Sequence, residues 1–210
     1  MPVIIVGAFP PPKHGMSMVN DRMSSEISKL VNVKRLDISP GNSSNRLLAV
    51  FRRVSVVAAG MVKFSRICKS NSVVYIGLSG GFGQLWELPF IVVSRLFKSS
   101  VFLHHHSYAY IDKLSILMRL LVFFGGPRVT HIILSENMNK KIRLMYPSIS
   151  KTFVLSNAMF VKESPPPQKS KPSDELVIGF LSNISFDKGI DLFFRTVAKL
   201  SDKQIKFKAV

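Results

Sequence analysis

The segment VVYIGLSGGFGQLWELPFIVVSRLFKSSVFLHHH, residues 73–106, gives the clearest indication of the fold class. It begins with a β-branched and aromatic run from Val73 to Ile76, followed by a glycine-rich turn. A helical pattern then extends from Gln84 to Phe97, and a second apolar run covers Val101 to His104. A strand, a helix and a strand within about 30 residues form one βαβ unit, in which the two strands run parallel.

The same alternation continues on both sides of this segment. Because apolar strands alternate with helices, the sequence predicts an α/β fold: a doubly wound parallel sheet covered on both faces. Ser17 and Ser135 are the predicted helix caps. The other predicted strands are residues 3–6, 33–38, 129–134 and 151–155, and the other predicted helices are residues 17–30, 47–69, 111–124 and 136–146.

The composition changes sharply after residue 161. Residues 162–175 contain four prolines and three lysines but no residue typical of a core, which indicates an interdomain linker. Predicted strands and helices alternate again from Leu176 to Val210, the last residue of the sequence. We therefore expect an N-terminal domain at residues 1–161, a linker at 162–175, and at 176–210 the first strand–helix–strand of a second, incomplete domain of the same kind.

The charge balance points to anionic partners. Lys and Arg number 29 against 12 Asp and Glu, a formal net charge of +17, which favours a phosphate-bearing substrate or an anionic membrane surface. The basic residues are dispersed and lack the aromatic interleaving of RNA-recognition sheets, so nucleic acid is not the expected partner. The single cysteine, Cys68, excludes an internal disulfide and fits a reducing compartment, and we expect a cytoplasmic location.

Residues 47–64 are the most membrane-like segment. Arg52 and Arg53 interrupt the apolar run, so we do not expect it to span a bilayer. Two interpretations remain open: a core-facing amphipathic helix, or a helix lying on the membrane with its basic residues at the headgroups. The basic residues are Arg46, Arg52, Arg53, Lys63 and Arg66.

Ligands of open α/β sheets bind beyond the carboxyl ends of the strands, so three loops are candidate sites. In the first loop, Gly15 precedes a helix and either lets the backbone approach a phosphate or simply adopts a positive φ in a turn. The fingerprint G-x-G-x-x-G of nicotinamide-binding proteins is absent.

The second loop carries His104, His105 and His106. On an extended chain His104 and His106 point to the same side, where they can bind sugar hydroxyls or phosphate, or act as acid and base. Alternatively all three are ordinary polar loop residues. A metal site is not expected, because no cysteine lies nearby and Asp112 is the one nearby carboxylate.

The third loop joins the strand after the linker to the next helix. Lys188 beside Gly189 at a helix start can neutralise a diphosphate as negative charge develops on it, and the amide of Asn183 can donate. The alternative is a surface lysine next to a turn glycine.

These loops together resemble the retaining GT-B glycosyltransferases of family 4, of the type found in O-antigen and polysaccharide gene clusters. The similar segments are FPPPKHGMSMVN, HHHS, ILSENMNKKI, VLSNAMFV and FLSNISFDKGIDLFF. The sequence differs at Ser107 and Ala158, where the family usually has glycine. It also has Ser182 and Asn183 where Gly-Arg is common, whereas Lys188 and Gly189 match.

The resemblance implies a two-lobed enzyme that moves a sugar from a nucleotide-sugar donor to a lipid-linked or saccharide acceptor, without a metal or cofactor. It implies His106 as a catalytic residue near the transferred sugar and His104 and Gly15 as substrate-binding residues. It also implies that Lys188 and Asn183 bind the diphosphate of the donor. The first lobe is expected to contact the anionic inner leaflet. The family's paired-glutamate motif is absent from the sequence, so weak or no activity is expected of residues 1–210 alone. The alternative is a non-catalytic lobe that binds membrane, acceptor or a partner subunit.

Overall fold

Six parallel strands form the sheet that positions the candidate site. The computed structural model describes residues 3–39, 41, 46–160, 176–182, 184 and 186–210. The chain divides into two units, Met1–Lys162 and Glu163–Val210. The predicted linker and Asn183 lie outside the described residues. The strands of the first unit are β1 (Val3–Gly7), β2 (Val33–Asp37), β3 (Val73–Leu78), β4 (Ser100–His105), β5 (Val129–Ile133) and β6 (Lys151–Val154). They lie side by side in the order β2-β1-β3-β4-β5-β6.

The helices cover the two sides of this sheet unequally. Met23, in the helix at Gly15–Ser28, packs with Ile5 and Tyr75 on one face, whereas the other four long helices contribute to the larger core with Ile4 and Val74 on the opposite face. This division follows from right-handed crossovers, because only the β1-to-β2 connection runs toward the β2 edge. The helices are α1 (Gly15–Ser28), α2 (Arg46–Ile67), α3 (Gln84–Leu96), α4 (Ala109–Asp112), α5 (Ile116–Gly125) and α6 (Glu136–Met145).

The α/β architecture with a parallel sheet is as predicted, but two helices differ from expectation. Ser17 does not cap α1. His14 is the N-cap, its Nδ1 accepts from Ser17 N at 3.3 Å, and Ser17 Oγ accepts from His14 N at 3.0 Å. The expected helix at 111–124 is divided into α4 and α5, because Lys113 is extended and Ser115 caps a new start. Ser135 caps α6 as predicted.

The described residues of the second unit form one βαβ element. β7 (Leu176–Ile178) and β8 (Phe207–Ala209) pair in parallel, and α7 (Ile190–Asp202) connects them. Gly189 adopts φ +81° immediately before α7. A side chain there would be strained, so glycine is the favoured residue at this turn.

Candidate functional site

The carboxyl ends of the strands gather several loops at one edge of the first unit's sheet. The chain leaves β1 toward β2 and then crosses back to β3, so the topological switch point lies between β1 and β3, where open α/β sheets bind ligands. Ser79 after β3 lies 3.9 Å from the sulfur of Met16 in α1. A Cβ built on Gly80 would lie 2.7 Å from Ser107 Oγ. The loops after β3 and β4 and the start of α1 therefore form one cluster.

His104 is a buried imidazole held by Tyr75. The Tyr75 hydroxyl lies 2.6 Å from His104 Nδ1, and burial raises the pKa of Tyr75 far above its usual range. Burial, together with His106, lowers the pKa of His104 to about 3, so the ring is neutral near pH 7. We assign the phenolic proton to the bond with Nδ1, which leaves the proton of His104 on Nε2. That Nε2 is buried and has no hydrogen-bond partner among the described residues.

His106 lies beside His104, as the alternation along an extended chain predicts. Their ring centroids are 4.3 Å apart. Burial lowers the pKa of His106 to about 4, and its Nε2 is also buried without a partner in the described part of the chain. Because both rings are neutral at neutral pH and both Nε2 atoms lack a partner among the described residues, they suit hydrogen bonding to a polar ligand. A charged imidazolium that would act as an acid catalyst is disfavoured at that pH.

His105 faces the opposite side of the sheet and has a structural role. Its Nδ1 lies 3.0 Å from the Tyr110 hydroxyl, and its Nε2 lies 2.9 Å from His131 Nδ1. Burial, followed by the effect of His131, holds the pKa of His105 well below its usual value. The alternative that all three histidines are polar loop residues is therefore wrong, because His104 and His105 belong to β4 and both are fully buried.

Asn20 is a polar residue of this site that sequence reasoning missed. It is fully buried on α1, where its Nδ2 donates to Ala8 O at 3.0 Å and its Oδ1 has no partner among the described residues. It packs against Gly7 and Gly77. Gly77 is the register partner of His104, so Asn20 and His104 lie on the same face of the sheet. The glycines near the ends of β1 and β3 are the sequence signal for this close approach.

Replacing Gly77 with alanine tests this packing. The new Cβ would lie 2.4 Å from Asn20 Oδ1, so the amide must move, and we expect a loss of about 1–3 kcal/mol in the free energy of unfolding. Urea denaturation measures the effect. Gly15→Ala is the matched control, since its Cβ would meet no atom within 4 Å. Equal stabilities for the two variants would contradict the packing described.

Gly15 is exposed at the first position of α1, with open space around its Cβ position. It is not among the glycines with positive φ, so the alternative explanation by turn geometry is wrong. The open space leaves the backbone accessible to a ligand.

Glu87 is a second polar group missing from the sequence interpretation. It is 1% exposed on α3. One carboxylate oxygen accepts from Ser79 Oγ at 2.6 Å, and the other has no partner among the described residues. Burial raises the pKa of Glu87 to about 7, against the effects of the Ser79 bond and the Arg53 charge. Its partner Ser79 belongs to the loop after β3, so this carboxyl fixes that loop.

The remaining predicted site residue belongs to the second unit. Lys188 is exposed, and it ends a short 3₁₀ turn before Gly189 and α7. The strand–turn–helix of the prediction is thus present, with the lysine two residues before the helix. Among the described residues, no group of three or more His, Cys, Asp or Glu side chains is arranged to hold a metal ion.

Comparison of the chain with models of known protein families gives no match, and comparison with curated proteins gives no significant match.

Proposed function

We propose that the chain is a glycosyltransferase, or part of one, of the retaining GT-B type, acting in polysaccharide synthesis on a nucleotide-sugar donor and a saccharide or lipid-linked acceptor. One observation carries the proposal: two neutral imidazoles, His104 and His106, lie near the switch point of a parallel sheet, and their buried Nε2 atoms have no hydrogen-bond partner among the described residues. This arrangement suits the hydroxyl groups of a sugar, because each unpaired Nε2 can form one hydrogen bond with a hydroxyl, as donor or as acceptor.

The roles of the residues follow from their chemistry. His104 donates from Nε2 to a sugar hydroxyl, with Tyr75 fixing its tautomer. His106 binds a neighbouring hydroxyl of the transferred sugar, and the backbone at Gly15 approaches a phosphate or the acceptor. In the second unit, Lys188 supplies positive charge to the diphosphate, with Asn183 as the expected second contact. The family resemblance of these same loops supports the assignment, and electrostatic stabilisation of a leaving diphosphate is a large catalytic effect.

The test is binding and turnover of a panel of nucleoside diphosphate sugars, each carrying a different base and sugar. Ligand-observed NMR on residues 1–210 is expected to show saturation transfer to sugar protons for at least one donor. Release of the nucleoside diphosphate measures turnover. Donor binding without turnover would favour the non-catalytic lobe, and no binding by any donor would overturn the proposal.

A further inference from the structure

Helix α2 exposes an unusual amount of apolar surface. Phe51 is 71% exposed and Val54 is 48% exposed. They belong to a stripe whose members follow one another at helical spacing (i, i+4, i+7, i+11, i+15), so they share one face. The stripe consists of Leu47, Phe51, Val54, Ala58 and Val62. Exposed apolar residues are ordinary when single, but a contiguous set marks an interaction surface.

The opposite face of α2 is anchored in the core of the first unit. Val57 and Phe64 are buried there, and Phe64 packs edge-on against Phe90 of α3 at 5.3 Å between ring centroids. Arg53 lies over the Trp86 ring at 5.9 Å. The helix is therefore fixed to the sheet by one face while the apolar stripe faces away from it. Both interpretations left open by the sequence, a core-facing helix and an interfacial one, are compatible with the same helix.

Basic residues form a third stripe along α2. Arg52, Lys63 and Arg66 are exposed, and their spacing (i, i+11, i+14) places them together on one side of the helix. An exposed apolar stripe next to a cationic one is the pattern of helices that lie in the headgroup region of a membrane. The net charge of +17 attracts the chain to anionic surfaces. Among the described residues, no helix is long and apolar enough to cross a membrane.

We propose that α2 binds the surface of an anionic lipid bilayer, with Phe51 and Val54 at the level of the acyl chains and the basic stripe at the headgroups. The charge pattern selects this partner: a second copy of the chain would bring the same cations together, whereas anionic headgroups neutralise them. The inference does not depend on the sugar-transfer proposal, because it is tested by lipid binding alone.

Co-sedimentation with vesicles tests the inference. The chain is expected to bind vesicles of phosphatidylcholine mixed with phosphatidylglycerol and to bind phosphatidylcholine alone far more weakly. The double variant Phe51→Asp/Val54→Asp is expected to bind the mixed vesicles at least about tenfold more weakly, because it places charge in the acyl region. Lys63→Gln/Arg66→Gln is expected to weaken binding about fivefold for each basic residue removed, and less at high salt.

Leu30→Asp is the matched control. Leu30 is an exposed leucine (85%) after α1, on the other face of the sheet, and its replacement should leave vesicle binding unchanged. Phe51→Trp provides a second measurement that does not depend on a charged variant: its fluorescence should shift to the blue on mixed vesicles. Three outcomes would overturn the proposal: no binding to mixed vesicles, equal losses for the α2 and Leu30 variants, or a stable dimer that Phe51→Asp dissociates.

Discussion

Acidification from about pH 7 to about pH 4.5 is expected to unfold the first unit. Burial lowers the pKa of His104 to about 3 and the pKa of His131 to about 4, whereas the ordinary value is 6.5. As the pH falls through 6.5, the unfolded chain takes up protons that the folded chain cannot bind. Stability from these groups is therefore fully present above pH 6.5 and lost below it.

The size of this effect rivals the total stability of a domain. The contribution of each buried histidine to the free energy of unfolding falls by about 2–3 kcal/mol over two pH units. The sum for two histidines approaches the lower end of the 5–15 kcal/mol, roughly, that stabilises a typical domain. His105 and His106 act in the same direction. Glu87 opposes them, because its pKa is raised from 4.5 to about 7 and its contribution is lost as the pH rises through that range. One opposing group offsets part of the loss without reversing it.

Urea midpoints measured across this pH range check the expectation. Glu87→Gln is the informative variant, since removal of the opposing group should make the loss on acidification steeper. A stability that stays constant from pH 7 to pH 4.5 would show that the histidines are not buried as described.

Replacing His106 with alanine is expected to weaken nucleotide-sugar binding about tenfold to a hundredfold. The expectation rests on the cost of about 1–3 kcal/mol for removing one partner of a buried hydrogen bond. His106→Asn keeps a donor and an acceptor near the same place and should recover part of the affinity. Neither variant removes a hydrogen bond between His106 Nε2 and a described residue, so the loss of affinity is assigned to the ligand.

Affinities from calorimetry with the best donor of the panel measure the effect. Leu30→Asp is a neutral control, since Leu30 lies after α1, at the end of that helix opposite Gly15. Unchanged affinity in His106→Ala would remove this residue from the site.

Much of the fold was predictable because several strands are continuous apolar runs that can be recognised from local composition alone. β1 and β3 are apolar throughout, and apart from their first residues they are buried on both faces of the sheet, so local composition suffices. The histidine pair followed from alternation along β4. The cap of α1 was predicted wrongly because the side chain that accepts from the helix backbone is that of His14, which ordinary cap preferences do not include.

The rest of the candidate site depends on contacts between distant segments. Asn20 meets Gly77, and Ser79 meets Glu87, only after the sheet has formed. The role of Tyr75 depends likewise on the pairing of β3 with β4, which brings its hydroxyl to His104. No local pattern encodes these pairs, so a single sequence does not reveal them.

The most direct test of the transferase proposal is imidazole NMR of ¹⁵N-histidine-labelled protein during titration with a nucleotide sugar. The spectra of the free protein should show the Nε2–H tautomer for His104. On ligand addition, the Nε2 resonances of His104 and His106 should shift, while those of His105 and His131 in the core stay in place. Unchanged resonances for His104 and His106 across the whole donor panel would contradict the proposal that this edge of the sheet binds sugar.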